Sequence, residues 1–330
     1  MSLRKQPMTS SQSDYRAFSK DEPSIPIFSR PWWLDATAGA DHWDAVLVRR
    51  GDRIAATMPY CMTKRLGFTL ITHPPLTQTL GPWIRPIKGA RHEQIAHQHS
   101  VLTDLLQQLP AYDYFYQRWH YFQTNWLAFY WAGFDQTTRY TYILRNLSDL
   151  SAVFCHFSAS KRRSIRKAKD EGIRITFDLP ARTFYEHHKR ILAQSGADIS
   201  YPYDLFRRIY EAGYNNNAAR TLAAYDARGN LHAAAFVVWD QNHAYDLIGM
   251  TDRHHGRSGA TALLMWEEIQ FAALKSRQFD FEGSMIQSVE AFVREFSPQQ
   301  TPYFCIYRTP SRLYAMAQFT KSLVSPTEHA

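Results

Sequence analysis

GATALLMWEEIQFAALKSRQFDFEGS, residues 259–284, carries two periodicities in one run. Leu263, Leu264, Trp266, Ile269 and Phe271 to Ala273 spread apolar side chains around most of a helix, which predicts a helix buried against a sheet. Phe279-Asp280-Phe281-Glu282 then alternates as a strand does. Phe279 and Phe281 enter one core layer, and Asp280 and Glu282 point to the other face. Gly283 lets the chain pass close to a ligand or another backbone. Ser284 or Ser288 starts the next helix.

Upstream, RTLAAYDARGNLHAAAFVVWDQNHAYDLIGMT (220–251) reads as strand, glycine-containing turn, strand, short turn, strand. The first half of the chain has the same plan. DAVLVRRGDRIAATMPY (44–60) is strand, turn, strand, with Gly51 able to take positive φ at the turn, and GFTLIT (67–72) is a third strand. Setting Gly51 against Gly229 aligns Asp52 with Asn230 and Ala55-Ala56 with Ala233-Ala234. A divergent duplication is the expectation. A proline-rich loop (73–86) and a helix over 91–110 follow the first meander; 112–134 reads as a core strand and a short helix. Helices are expected near 181–195 and 202–213, a strand at 301–308 and a closing helix at 311–323.

Between the halves, Ser148 is placed to cap a helix with Leu150, Val153, Phe154 and Phe157 facing inward. A short basic helix, 159–171, ends at Gly172. Its Arg162, Arg166 and Lys169 share one face at i, i+4, i+7, and Ile165 and Ala168 lie on another.

The whole chain sets the outer limits. Its 330 residues are enough for two domains, and 45% hydrophobic content makes both well cored. No run of 18 uncharged apolar residues exists, so no membrane span is expected. Residues 1–26 read as a loose polar tail without the apolar stretch of a signal peptide. Cys61, Cys155 and Cys305 are far apart and lack metal-ligand spacing, which argues against disulfides and a zinc site and favours the cytoplasm. His187-His188 and His254-His255 have no third partner at metal spacing, so no metal is expected. The net charge of +8 points to an anionic partner.

Meander, loop, buried helix, strand, helix, strand is the order of a GNAT-type acyltransferase domain. Doubled, with a basic helix before the second copy, the chain resembles the FemAB/FemX-like branch of that superfamily. SASKRRSIRKAKDEGIRI (158–175), the opening stretch and FVREFSPQQTPYFCIYR (292–308) carry the likeness. The resemblance implies an α/β fold of two tandem GNAT-like domains, each a mixed, mostly antiparallel sheet flanked by helices. It places a degenerate copy at 27–140 and the acyltransferase copy at 141–330. It also implies transfer of an acyl group from acyl-CoA, or from an aminoacyl-tRNA, to an amine of a sugar-nucleotide, peptide or cell-surface polymer precursor. Nucleic acid is a partner only if tRNA is the donor.

The resemblance gives the site residues their roles. Such domains hold the CoA pyrophosphate on a loop of pattern Arg/Gln-x-x-Gly-x-Gly/Ala that enters a helix, where bare amides and the helix dipole receive phosphate oxygens. Here Arg253 and Gly256 fit, Arg257 follows, Ser258 stands where Gly or Ala is expected, and Gly259 comes one residue later. Arg162, Arg163, Arg166 and Lys169 form a cationic ridge suited to a polyphosphate or sugar nucleotide. Glu282 is the candidate base, with Asp280 second to it, and Tyr303 a candidate proton donor to the leaving group. The plainer reading of Glu282 is an ion pair with Arg294 or Arg308. No Gly-x-Ser-x-Gly elbow is present and no cysteine has a histidine partner, which favours direct attack over an acyl-enzyme. The alternative is a non-catalytic pair of GNAT-like modules that binds an anionic partner through the basic helix.

Overall fold

The computed structural model describes residues 9–283 and 285–324. In chain order, helices α1 (Ser10–Asp21) and α2 (Pro31–Thr37) precede strands β1 (Trp43–Arg50), β2 (Arg53–Arg65), β3 (Phe68–Thr72) and a short β4 (Trp83–Ile84). Next come α3 (Arg91–Gln107), β5 (Tyr114–Arg118), α4 (Leu127–Trp131) and β6 (Asp135–Leu144). Helices α5 (Leu150–His156) and α6 (Ala159–Asp170), strand β7 (Arg174–Phe177), and helices α7 (Ala181–Ala193) and α8 (Tyr203–Asn215) lead to the second meander. That meander is β8 (Ala219–Tyr225), β9 (Leu231–Trp239) and β10 (His243–Thr251). The chain continues through α9 (Ala260–Ala273), β11 (Gln278–Asp280), α10 (Gln287–Val293), β12 (Gln299–Arg308) and α11 (Arg312–Val324). The fold is therefore α/β, with mostly antiparallel sheets flanked by helices. No helix of the described residues is long and apolar enough to cross a membrane.

The chain divides into two compact units, Met1–Arg139 with Pro302–Ala330, and Tyr140–Thr301. Within the first, β1, β2 and β3 form an antiparallel meander. Its first turn is Gly51-Asp52, closed by Arg50 opposite Arg53, with Gly51 at φ +58°. Helix α3 then carries the chain to β5, which lies parallel to β3, and β12 pairs antiparallel with β5. Phe115, Trp119, Phe129, Leu102 and Ile306 are fully buried in this unit's core. Pro302 to Arg308, expected in the C-terminal domain, cluster with this first unit. The reason is pairing: Cys305 to Arg308 lie against Arg118 to Phe115.

The loose tail expected over 1–26 gives way to ordered structure from Thr9 onward; residues 1–8 lie outside the described part. Thr9 caps α1 by accepting from the Gln12 amide at 3.1 Å. Buried Gln12 donates to the carbonyls of Ala40 and Trp43, and the Tyr15 hydroxyl donates to Ser29 O at 2.7 Å. A segment whose side chains satisfy buried carbonyls is part of the fold.

The second unit repeats the order. Strands β8, β9 and β10 form an antiparallel meander, α9 crosses over, and β11 lies parallel to β10. β6 pairs antiparallel with β11 and β7 with β8. Every residue of β9 is buried, because α9 covers one face and the aromatic side chains of α7 and α8 cover the other. That explains why its sequence shows no polar alternation. The turn at Gly229 (φ +82°) is longer than its counterpart, with Tyr225 opposite Leu231. The N-cap of α5 is Asp149, which accepts from the Ala152 amide at 3.0 Å; Ser148, the expected cap, lies one residue before it. Helix α10 begins at Gln287. Ser284, one of its two expected starting points, lies outside the described residues.

Candidate functional site

The site begins where β10 ends. Asp252 accepts from the His254 amide at 3.0 Å and so turns residues 253–255 into one turn of 3₁₀ helix. Ser258 Oγ accepts from the Ala260 amide at 3.2 Å and bonds His232 Nδ1 at 2.9 Å. The other nitrogen of His232 lies 3.3 Å from Asp226 Oδ2, and His255 stacks on the ring at 4.0 Å. Ser258 thus departs from the small-residue pattern for a local reason: its hydroxyl accepts from the first amide of α9 and ties the loop to β9.

Gly259 is the N-cap of α9 at φ +76°. A Cβ there would stand 2.3 Å from the carbonyl oxygen of Ser164 and 3.4 Å from Ala168 Cβ. Only glycine lets α9 approach α6 this closely.

A cleft of about 620 Å³ opens within this unit. Gly256, Arg257 and Gly259 line it, as do Thr261 and Ala262 at the start of α9. Lys161 and Ser164 of α6, Met250 and Gly249 of β10, Phe281, and Val289 and Phe292 of α10 complete most of its wall. The loop expected to hold phosphate and the basic helix therefore border one cavity, and that cavity lies inside the second unit.

The cationic ridge is not what α6 presents to it. Lys161 is buried, with its ammonium 3.8 Å from the Phe292 ring centroid and 3.4 Å from Glu295. Burial holds its pKa below the usual lysine value, against the pull of Glu295. Arg162 turns away and donates to the carbonyl oxygens of Cys155 and Phe157 at the end of α5. Lys169 sits 3.9 Å from Glu267, and Arg163 and Arg166 are exposed. None of these four lines the cleft. The helical arithmetic explains it: the face holding Ile165 and Ala168 packs on α9, and the i, i+4, i+7 basic face points elsewhere. Arg253 and Ser258 are likewise absent from the wall.

The acidic strand is shorter than its alternation predicts. Phe279 and Phe281 share the core, their rings 5.0 Å apart. β11 stops at Asp280, and Glu282 takes φ +51°. The chain therefore turns back, and the Glu282 amide donates to Asp280 Oδ1 at 2.8 Å. Thr141 Oγ1 donates to the same oxygen. Burial pushes the Asp280 carboxyl up to about 7, while Thr141, the Glu282 amide and Arg145 oppose the rise. Asp280 is thus a brace for the turn. Glu282 is half-buried, comes directly after cleft residue Phe281, and is itself outside the wall. Gly283 makes the close approach expected of it: a Cβ would stand 2.4 Å from Thr141 Cα. Tyr303 belongs to the first unit, where burial pushes its phenol up to about 12.

Two acids without a motif in the sequence stand in the wall. Asp246 of β10 and Glu268 of α9 both line the cleft. Glu268 is 1% exposed, and no donor of the described residues reaches its Oε2 or Asp246 Oδ1. Burial pushes Asp246 up to about 7; burial and then the Asp246 charge push Glu268 well above the carboxylate range. The register of β10 on β9 slips between Asp246 and Ile248, a bulge that re-aims the strand beside Asp246. The one available signal is Glu268 itself, an acid in the middle of a helix apolar on nearly every side.

Among the described residues, no group of three or more His, Cys, Asp or Glu side chains could hold a metal ion. Residues 156–285 match the family described as acetyltransferase (GNAT) domain. No curated protein sequence matches the chain. Among solved structures, FemX superposes with a TM-score of 0.67 at 12% identity, covering 90% of this chain and 96% of that one. The C-terminal domain of a putative lysylphosphatidylglycerol synthetase from Agrobacterium fabrum gives 0.53 at 12%, covering 93% and 95%. L-PGS from Bacillus licheniformis gives 0.53 at 12%, covering 96% and 98%. The second unit matches a GNAT domain over residues 156–285, and the chain as a whole has the fold seen in FemX.

Proposed function

We propose that the chain moves an acyl or aminoacyl group from a CoA or tRNA donor to an amine of a sugar-nucleotide, peptide or cell-surface polymer precursor. The observation that carries this reading is the shared cleft: a glycine-containing loop, the start of α9 and the last residues of β10 open on one cavity. Gly256 and Arg257 would hold the donor's phosphate end, with Arg257 supplying a guanidinium for phosphate oxygens. The acceptor amine attacks the carbonyl carbon of the donor; the bond to sulfur or to the ribose oxygen breaks, and the leaving group takes up a proton.

Glu282 is the proposed proton acceptor, held at the edge of Phe281 by the turn that Asp280 braces. Tyr303, expected as the proton donor, belongs to the first unit, so the leaving group takes its proton from solvent. The test is turnover with a panel of acyl-CoA and aminoacyl-tRNA donors against amine acceptors, using wild type and Glu282→Gln. Loss of the base should slow transfer by roughly 10²–10⁴-fold while donor affinity holds. A Gln variant of full activity refutes the role of Glu282. Failure to bind either donor class, with salt-sensitive binding of polyanions, supports the non-catalytic binding reading instead.

A further inference from the structure

We propose that Asp246 and Glu268 form a cation-recognition subsite in the cleft, which holds a non-reacting ammonium or guanidinium group of the substrate. The starting point is a cost. Glu268 is buried and Asp246 half-buried, and one oxygen of each, Oε2 and Oδ1, has no donor among the described residues. Leaving such an oxygen out of water is unfavourable, and two of them facing one space are more so. An apolar pair of similar size would be cheaper wherever the only task was packing. Asp246 and Glu268 come from different elements, β10 and α9, and both open on the same cavity. Gly249 keeps space beside the pair: a Cβ at that position would stand 3.2 Å from Asp246 Oδ2.

The neighbouring charges do not supply the missing partner. Lys161 is engaged with Glu295 and the Phe292 ring, and the other basic residue of the wall, Arg257, lies in the loop before α9. Ala234, Ala235, Met250, Leu264, Met265 and Phe281 make the surrounding wall apolar. Apolar walls ending in two carboxyls suit a cation on an aliphatic stem. In such a site the carboxyls share a proton when the cavity is vacant and release it when a cation enters.

The group held here is not the attacking amine. A carboxylate beside an ammonium favours its charged form, which has no lone pair for attack. The pair therefore selects the substrate, and Glu282 remains the proposed base. The subsite uses the acyl-transfer reading only in calling its ligand a substrate. Its test needs no donor, so the two can fail separately.

Pentylammonium and 1-pentanol, alike in shape and different in charge, are titrated into the full chain by calorimetry at neutral pH. Wild type should bind pentylammonium at least tenfold more tightly than pentanol. Glu268→Gln and Asp246→Asn should erase that preference while leaving the fold intact. Gly249→Ala, which narrows the space at Asp246 Oδ2, should weaken pentylammonium binding and leave the melting temperature nearly unchanged. Equal affinity of wild type for the amine and the alcohol overturns the proposal, whether or not the variants fold. So does a folded Glu268→Gln protein that retains the wild-type preference. If pentylammonium binds as expected and no acyl donor supports turnover, the subsite stands and the transfer reading falls.

Discussion

The two meanders differ most beyond their third strand. In the second unit, eight residues separate β10 from α9, and they are tightly braced: Asp252 caps, Ser258 accepts from the first amide of α9, His232 ties, and Gly259 lets the helix sit on α6. In the first unit, β3 leads into the proline-rich stretch 73–86, and α3 starts at Arg91 with Ala90 as N-cap and no side-chain cap from it. Both connections end in the same topological event, a parallel strand beside the third one. The same step is built once with a loop braced by side chains and once with a helix start whose N-cap residue offers no side-chain cap. Sharing a topology and sharing a site are separate properties.

Glycine substitutions give the sharpest contrast between the halves. Gly259→Ala meets both a positive φ and the Ser164 carbonyl, and should cost about 2–4 kcal/mol by urea denaturation. Gly51→Ala has the φ penalty but nothing within 4 Å, so about 1 kcal/mol is expected. Equal costs would show that the approach of α9 to α6 relaxes freely, and the contrast would lose its basis.

The acids of the second unit predict a pH dependence. The folded-state pKa of Asp246, about 7, lies above the unfolded value, so the folded protein keeps a proton that the unfolded chain has released. Its contribution is fully present below about pH 4 and is lost as pH rises through about 7. Glu268 on α9 shifts in the same direction, and Lys161 on α6 lines the same cleft. Asp246→Asn should flatten the fall in stability between those limits, measured by denaturation at half-unit pH steps. An unchanged slope would mean that the carboxyl titrates alike in both states.

The basic helix gives the smallest effects. Arg162→Ala removes two donors to backbone carbonyls and should cost about 1–2 kcal/mol. Arg166→Ala, on an exposed side chain, should stay within about 0.5 kcal/mol. Reversed magnitudes would return Arg162 to the ridge that its spacing suggests.

Strand order, the buried helix and both glycine turns were legible because each leaves a local periodicity or a φ requirement in the sequence. Gly283 was legible for the same reason. The loop was half legible: its glycines read as a phosphate-binding turn, while the close approach of Gly259 to Ser164 left no sign in the sequence. Asp246 and Glu268 stayed hidden because they are 22 residues apart and meet only when α9 folds onto β10. The direction of the α6 faces was not legible, because helical spacing shows which residues travel together and not which way they point; Arg162 turns to the carbonyls of Cys155 and Phe157. Lys161 reads in sequence as one more surface charge, although two aromatic rings and Glu295 surround it in the fold.

Pro302 to Arg308 supply the last strand of the first unit, although 162 residues of the second unit intervene after Arg139. During synthesis that strand is absent for roughly ten to thirty seconds at ordinary elongation rates. For that interval β5 waits with an open edge, and Phe115 lacks the cover that Ile306 brings to its core. A chain cut after residue 140 would keep the edge exposed permanently. The first unit, complete in its meander and early in the sequence, is therefore the last part of the protein able to finish folding.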